Sequence, residues 1–307
     1  MLRTSRPEGT IERGLRLSHD DRVTPPPPEG WEWDETLYLG SAPYYLRGRP
    51  PYAPELADAL RRILALDGRG RLLDVGCGPG VVTLPLAHHF SEAVGLDPDP
   101  GMLAEGARRA TDAGVENITW VRARAEELPA GLGRFRVATF AQSFHWTNRD
   151  RVAALILEML EPGGALVHIS GVKRDGAWDR ANDQPSHALP PYEAIHELIR
   201  RYLGPVRRAG QGFLRYGSPD GEAIVLRNAG FQDPERLQLA AGGVQKRTAN
   251  DIVAWVYSLS GSAPHLFGDR LEEFETDLRR LLDDASPSGL FSEQPPDTEV
   301  FIWRKPQ

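Results

Sequence analysis

The sequence predicts an α/β protein with a doubly wound, mainly parallel sheet that is covered by helices on both faces. Three observations support this fold class. Short apolar runs alternate with helical patterns from residue 71 to residue 170, a glycine-rich turn at 76–80 follows the first run, and the second run ends on an acid, Asp97. Such alternation is typical of parallel sheets whose buried strands are joined by helices.

The apolar periodicity predicts the elements in order. An amphipathic helix at 54–66, with Pro54 in its first turn, precedes the first strand. Strands are expected at 71–75, 93–97, 118–122, 135–140 and 164–170, and helices at 80–90, 100–113 and 149–160. Beyond residue 170, helices are expected at 191–202, at 252–257, at 271–282 and ending at Gly230, and strands at 235–240 and 299–303.

The chain divides into three parts. Residues 1–52 are expected to form an N-terminal extension, whose polar first 30 residues are an extended or partly disordered lead and whose remainder is an aromatic lid segment. Residues 53–170 form the core, and residues 171–307 add cap insertions and the last two core strands. Because residues 31–52 are too aromatic for a solvated tail, we expect them to pack at the mouth of the site.

Composition narrows the class of partner. The 307 residues carry a net charge of −7, without the basic stripe that a nucleic acid requires. The single cysteine excludes an internal disulfide, the start lacks an apolar signal core, and no run approaches the roughly 20 apolar residues of a membrane span. We expect a cytoplasmic monomer or homodimer with a small-molecule substrate and with no nucleic-acid or membrane partner.

The glycine turn and the acid after the second strand predict a site for a nucleoside-bearing cofactor. Glycines let the backbone approach a ligand closely, and Asp97 can accept hydrogen bonds from ribose hydroxyls. A dinucleotide loop would have a third glycine where this chain has Val81. Asp74, expected at the mouth of the loop, would repel a pyrophosphate and could accept from an ammonium group. These two residues argue against a nicotinamide-dependent oxidoreductase.

Residues 74–80, Asp-Val-Gly-Cys-Gly-Pro-Gly, match every fixed position of the first motif of class I S-adenosylmethionine (SAM) dependent methyltransferases, and the chain resembles that family. Stretches at 121–129, 135–146 and 160–166 resemble its later motifs in the same order. The resemblance covers residues 44–170 and is closest to the small-molecule branch that includes quinone-ring and trans-aconitate methyltransferases.

The resemblance implies a Rossmann-like, seven-stranded sheet with helical cap insertions, in which the last strand runs antiparallel beside the sixth. It also implies an enzyme that moves a methyl group from SAM to an O, N or C atom of a small molecule and leaves S-adenosylhomocysteine (SAH). Specialised metabolism is a hypothesis for its setting. A second hypothesis is a regulatory, non-catalytic SAM-binding protein of the same fold.

The resemblance also assigns residues to the cofactor. The expected cofactor contacts are Asp74, Gly76, Cys77, Gly78, Gly80, Asp97, Pro98, Met102, Ala125, Glu126, Gln142 and Ser143. Two residues depart from the family pattern, because Arg124 stands where an acid often accepts from the adenine amino group and Arg136 stands where the fourth strand often begins with Asp. Adenine recognition is therefore expected to depend on backbone atoms near Ala125 and Glu126.

His145, just after the fourth strand, is the candidate general base, since an ordinary histidine pKa of about 6.5 suits proton transfer near neutrality. The alternative is that His145 only orders its loop. The expected substrate or lid residues are Tyr44, Tyr45, Arg49, Tyr52 and Trp146. Arg49 could pair with the SAM carboxylate or with an acidic acceptor. The histidines lack metal-ligand spacing, so we expect no metal.

Overall fold

A seven-stranded sheet forms the centre of the computed structural model, which describes residues 36–172, 185–205 and 219–307. Its strands are β1 (Arg71–Val75), β2 (Glu92–Asp97), β3 (Ile118–Arg122), β4 (Phe135–Ala141), β5 (Leu160–Val172), β6 (Glu235–Leu239) and β9 (Asp297–Arg304). The order is β3-β2-β1-β4-β5-β9-β6, with β1 to β5 parallel and β9 antiparallel to both of its neighbours. The predicted fold class is confirmed.

Helices cover both faces of this sheet, and further helices form a cap beside it. They are α1 (Ala42–Gly48), α2 (Leu56–Ile63), α3 (Thr83–Ala87), α4 (Pro100–Asp112), α5 (Arg149–Met159), α6 (Tyr192–Leu203), α7 (Pro219–Ala229), α8 (Ala249–Tyr257) and α9 (Leu271–Ala285). The helix predicted at 80–90 begins too early, because Gly80 has φ +73° and belongs to the turn. Helix α1, inside the aromatic lid segment, was not predicted.

The core has two layers because successive strand residues face opposite sides of the sheet. On β1, Leu73 packs in the layer that includes α5 and α7, whereas Leu72 packs in the layer that includes α2 and α3. Leu72 and Leu73 are both buried. A strand that is buried on both faces is apolar at successive positions, which accounts for this continuous apolar run in the sequence.

A third apolar cluster forms the cap from α6, α8 and α9, with Phe274 and Tyr257 at its centre. The cap also contains a two-stranded antiparallel sheet, β7 (Gln245–Thr248) with β8 (Leu290–Glu293). The sequence analysis assigned this region to helices alone, and this is wrong for the two strands. The four residues of β7 are all polar, so they show no alternation of apolar and polar residues that would predict a strand.

Several expectations lie outside the described residues: the extended lead at 1–30, Trp31 and Trp33, and most of the segment 171–220. Within the parts of the chain that the structure describes, helices are too short or too polar to cross a membrane.

Trp120 on β3 fills a hollow that three glycines create between the turn after β1, β2 and α4. A Cβ atom added at Gly80, Gly95 or Gly106 would lie 2.7, 2.7 or 2.8 Å from an atom of its ring. These glycines therefore make room for the indole beneath the turn. Gly106 has ordinary helical φ, so only this contact requires glycine there.

We predict that Gly106→Ala lowers the free energy of unfolding by about 1 kcal/mol, because overpacking costs about 1–3 kcal/mol and the gain in helix propensity returns only about 1 kcal/mol. Urea unfolding measures this change. In a Trp120→Leu background the ring is gone, so the same substitution should stabilise the protein. A stabilising Gly106→Ala in the wild-type background would contradict the packing argument.

Candidate active site

A cleft of about 800 Å³, including the space open to solvent at its mouth, lies at the carboxyl ends of the parallel strands, beside β1 where the strand order reverses. This is the position where ligands bind in open α/β sheets. The cleft is lined by Leu37, Tyr38, Tyr45, Val75, Gly76, Gly78, Leu96, Asp97, Pro98, Asp99, Met102, Arg124, Ala125, Glu126, Ala141, Gln142, Ser143, Trp146 and Thr147. The loops after β1, β2, β3 and β4 supply most of these residues, and residues 37–45 close one side.

The glycine turn brings two loops together at the floor of this cleft. A Cβ atom at Gly76 would lie 2.5 Å from the Ser143 Cβ, and Ser143 Oγ donates a hydrogen bond to the Val75 carbonyl. Gly78 has φ +52° and an added Cβ would meet no atom within 4 Å, so this position faces open space. The turn therefore provides both close packing behind and room in front for a ligand.

Asp97 places a buried carboxylate at the end of β2. Its side chain accepts hydrogen bonds from the backbone N–H groups of Gly78 at 2.8 Å and Asp99 at 2.9 Å. Burial raises the pKa of Asp97 to about 6, although these two hydrogen bonds oppose the rise. Each oxygen keeps lone pairs, so the carboxylate can also accept hydroxyl donors.

Asp74 does not lie at the mouth of the loop, as the sequence analysis expected. Its side chain is 1% exposed and accepts from the hydroxyls of Thr83 at 2.6 Å and Thr139 at 2.7 Å. It thereby joins β1 to the start of α3 and to β4. The motif acid positions the turn from behind, and the expectation that it meets an ammonium group is corrected.

Two other motif residues also lie behind the turn. Cys77 is buried with its Sγ 3.1 Å from the position of a Cβ on Gly95, and burial raises the pKa of its thiol. Gly80 faces Leu84 and Trp120. Both therefore shape the turn, whereas Gly76 and Gly78 line the cleft.

The remaining expected cofactor contacts, Pro98, Met102, Ala125, Glu126, Gln142 and Ser143, all line the cleft. Glu126 accepts from the backbone N–H of Asn148 at 2.7 Å. Gln142 has φ +56°, which is rare for a residue other than glycine and is typical of strained backbone at functional sites. The sequence analysis missed Val75, Leu96, Asp99, Arg124, Ala141 and Thr147 as wall residues, and their places at strand ends were the available signal.

The aromatic lid segment reaches the cleft through Tyr38 and Tyr45. The Tyr38 ring lies 6.3 Å from Tyr45 and 5.9 Å from Trp146, in edge-to-face arrangements. Tyr44 instead packs 5.0 Å from Tyr257 of the cap, because consecutive helical residues point about 100° apart. Tyr44 is expected to be a substrate or lid residue, and the structure places it against the cap and outside the wall of the cleft.

Arg49 is a half-buried cation without a carboxylate partner among the described residues. It donates to the Ser258 carbonyl at 2.9 Å and stands 5.2 Å from the centre of the Tyr45 ring. Its Nε is buried and has no hydrogen-bond partner in the described chain. Burial raises the pKa of nearby Tyr52, while the Arg49 charge lowers it. A partnerless buried donor is costly unless a ligand supplies an acceptor.

His145 lies in a single helical turn at 144–146, between the wall residues Ser143 and Trp146. Its ring centre is 5.2 Å from that of Trp146. Burial lowers the pKa of His145 to about 4, helped by the charges of Arg149 and Arg49. The imidazole, which adjoins the cleft without lining it, is therefore neutral throughout the neutral range, but it is a weaker base than the ordinary histidine of the sequence analysis.

The described residues contain no group of His, Cys, Asp and Glu suited to a metal ion. The donor set of the cleft instead fits a nucleoside with a charged tail. The buried acid Asp97 lines the cleft, and Arg49, which is not itself a wall residue, stands beside the wall residue Tyr45. Apolar walls from Leu96, Met102 and Ala125 fit a planar base.

Fold and cleft define an α/β protein of the Rossmann-like, nucleoside-binding class. The methyltransferase-domain family matches residues 72–164. The trans-aconitate 2-methyltransferase of Mycobacterium ulcerans (strain Agy99) is 29% identical over 273 residues, which are 83% of this chain and 88% of that one. The 2-heptyl-1-hydroxyquinolin-4(1H)-one methyltransferase of Mycobacteroides abscessus is 32% identical over 190 residues, or 58% of this chain and 81% of that one.

The chain belongs to the class I SAM-dependent methyltransferases, in their small-molecule branch. It is an enzyme that uses SAM as methyl donor and releases SAH. Among solved structures, the 4+2 cyclase SpnF shares the fold, with a TM-score of 0.53, 20% identity and coverage of 88% of this chain and 94% of that chain. The name of that neighbour illustrates that the reaction must be argued from the site.

We predict that Thr139→Val lowers the free energy of unfolding by about 1–3 kcal/mol, because one buried Asp74 oxygen loses its donor. Burial already raises the pKa of Asp74 above 3.8, and loss of a donor raises it further in the folded state. Since the charged folded form suffers most and the unfolded state is the same for both proteins, the loss should grow as pH rises through the raised folded-state pKa of Asp74. Urea unfolding at about pH 5 and about pH 8 measures it.

Thr139→Ser is the matched control, because it keeps the hydroxyl and should retain most of the stability at both pH values. A loss of stability for Ser but not for Val would show that the methyl group matters and the hydrogen bond does not, and a loss for Val that is independent of pH would contradict the role of the charged acceptor.

Proposed function

We propose that the cleft holds SAM with its ribose on Asp97, its base against Leu96, Met102 and Ala125, and its carboxylate on Arg49. The observation that carries this arrangement is that the Asp97 carboxylate lines the cleft, while the Arg49 guanidinium stands 5.2 Å from the ring of the wall residue Tyr45. When bound, SAM supplies a methyl group on a sulfonium. The chain supplies orientation, exclusion of water by the aromatic lid, and an acceptor for a proton.

Arg49 can bind a further anionic group, since its contacts among the described residues are the Ser258 carbonyl and the Tyr45 ring. A carboxylate of the donor or of the acceptor molecule would complete its hydrogen bonds. We favour the donor, because every SAM molecule carries that carboxylate. Arg49→Gln then weakens SAH binding, whereas a change confined to the KM of the acceptor would assign Arg49 to the acceptor.

The acceptor is proposed to be a small molecule that enters beside Trp146. Incubation with SAM and a panel of small acids and aromatic hydroxyl compounds, including trans-aconitate and 2-heptyl-1-hydroxyquinolin-4(1H)-one, tests this by formation of SAH and of methylated product. SAH formation that depends on a panel compound supports the proposal. Specialised metabolism, the cytoplasmic location, the lack of a nucleic-acid partner and the monomer or homodimer stay predictions from composition and resemblance.

Asp97→Asn should weaken SAH binding by about 1.5–3 kcal/mol, since charge-assisted hydrogen bonds to the ribose are lost. The pH dependence follows from the raised pKa of Asp97, about 6. Ribose hydroxyls prefer the charged carboxylate, so affinity should be constant above this pKa and fall as pH drops through it. Isothermal titration calorimetry across this range measures both effects.

The variant should lose the pH step as well as the affinity. Asp112→Asn, an exposed acid at the end of α4 that pairs with Arg108, is the matched control and should bind SAH normally. Wild-type affinity in a folded Asp97→Asn protein would reject the ribose assignment.

His145 is proposed as the general base that receives a proton from a hydroxyl or carbon acceptor. His145→Asn should lower kcat about 100-fold or more while the Kd for SAH stays unchanged. Because the pKa of His145 is lowered to about 4, wild-type kcat should stay level through pH 6.5 and fall only as pH approaches 4.

His88→Asn, at the end of α3, is the control and should leave kcat unchanged. Full activity of His145→Asn would mean that His145 only orders the loop after β4, or that the acceptor is an amine that needs no base in the transfer step.

A further inference from the structure

Arg247 on β7 occupies a buried junction between the cap and the aromatic lid segment. Its side chain is 7% exposed and pairs with Glu293 of β8 at 2.6 Å, whose side chain is 14% exposed. Tyr192 of α6 donates its hydroxyl hydrogen to the other oxygen of Glu293. The ion pair is therefore held by three elements of the cap.

The second half of the guanidinium holds α1. Nη2 of Arg247 donates to the carbonyl of Gly48 at 3.0 Å, and lies 3.2 Å from the carbonyls of Arg47 and Asp251. These carbonyls lie at the end of α1 and in the first turn of α8. One planar group thus fastens the end of the lid helix to the cap.

The backbone at this place is also closely packed. A Cβ atom added at Gly48 would lie 2.4 Å from the Ala254 carbonyl oxygen of α8. Arg47 adds an ion pair to Asp251 at 2.6 Å. The next residue is Arg49, whose guanidinium reaches the Ser258 carbonyl at the end of α8. The position of Arg49 therefore depends on how its chain segment docks on α8.

We infer that Arg247 is a positioning residue, which through Glu293 and the carbonyls at the end of α1 holds Tyr45 and Arg49 over the methyl-donor cleft. The inference rests on the proposed role of Arg49. Arg247 itself is in contact with the cap and the end of α1 and acts on the ligand only through them.

The geometry separates two functions of this side chain. An ammonium group can replace the charge beside Glu293, but it lacks the planar fork that reaches Glu293 and the α1 carbonyls at the same time. Arg247→Lys therefore keeps a cation for the buried carboxylate and loses the attachment of α1. Removing the cation altogether would leave Glu293 buried without its partner and would test folding instead.

The experiment compares Arg247→Lys, Arg49→Gln and the double variant in the full chain. SAH affinity is measured by calorimetry and amide hydrogen exchange by mass spectrometry. Arg247→Lys should weaken SAH binding about tenfold or more, since a displacement of about 1 Å in a positioning group can cost about 100-fold. Exchange should rise in peptides covering α1, while peptides from β1 to β5 keep their protection.

The double variant decides whether the two arginines act together. If Arg247 acts through Arg49, the double variant should lose little more affinity than the weaker-binding single variant. Multiplied losses would mean independent effects and would overturn the inference. Unchanged SAH affinity and α1 exchange in Arg247→Lys would also overturn it.

Arg279→Lys is the matched control. Arg279 also contacts α8, through Asn250 at 2.8 Å, but its ion pair is with Glu275 of α9 and it is 43% exposed. It should change neither SAH affinity nor α1 exchange. If Arg49→Gln alone leaves SAH affinity unchanged, the proposed role of Arg49 fails. In that case, increased α1 exchange in Arg247→Lys still supports the attachment of α1 to the cap by Arg247, and unchanged α1 exchange rejects it.

Discussion

The geometry of the cleft depends on the buried carboxylate of Asp74. Its two oxygens accept hydroxyl hydrogens from Thr83 and Thr139, so one side chain connects the end of β1 to α3 and to β4. With the turn held from behind, Gly76 can close on Ser143 and Gly78 can face the ligand space. Asp74, the first acid of the motif, therefore stabilises the turn from inside the core. Its two hydroxyl partners are needed because a buried charge is tolerated only when its hydrogen bonds are satisfied.

The two charged groups at the cleft, Asp97 and Arg49, differ in how well the described chain satisfies their hydrogen bonds. Asp97 has two backbone donors and a raised pKa, while Arg49 has a carbonyl, a ring and a buried Nε without a partner in the described chain. Buried polar groups that serve only stability normally have all their hydrogen bonds satisfied within the chain. Holding Asp97 and Arg49 apart costs folding free energy and leaves both available to a ligand of complementary charge, which is the usual relation between stability and function at a binding site.

The lid is assembled from distant parts of the chain. Tyr38 and Tyr45 come from the N-terminal side, whereas the helices that support them come after residue 245. The residues proposed to contact the sugar and the base, Asp97, Leu96, Met102 and Ala125, all belong to the Rossmann-like core. Arg49, the proposed partner of the SAM carboxylate, instead depends on how the end of α1 docks on α8, so the cap and the core together would complete the donor site.

The local sequence determined the sheet, the turn and Asp97, because apolar periodicity and positive-φ glycines are short-range signals. It also indicated that the aromatic segment meets the cleft. It could not indicate that Asp74 faces two threonines, that Tyr44 packs on Tyr257, or that polar β7 and β8 pair. Those outcomes were decided by the tertiary structure, because each depends on a partner at least nine and up to about 213 positions away, and burial between elements determines which face of a residue meets which neighbour.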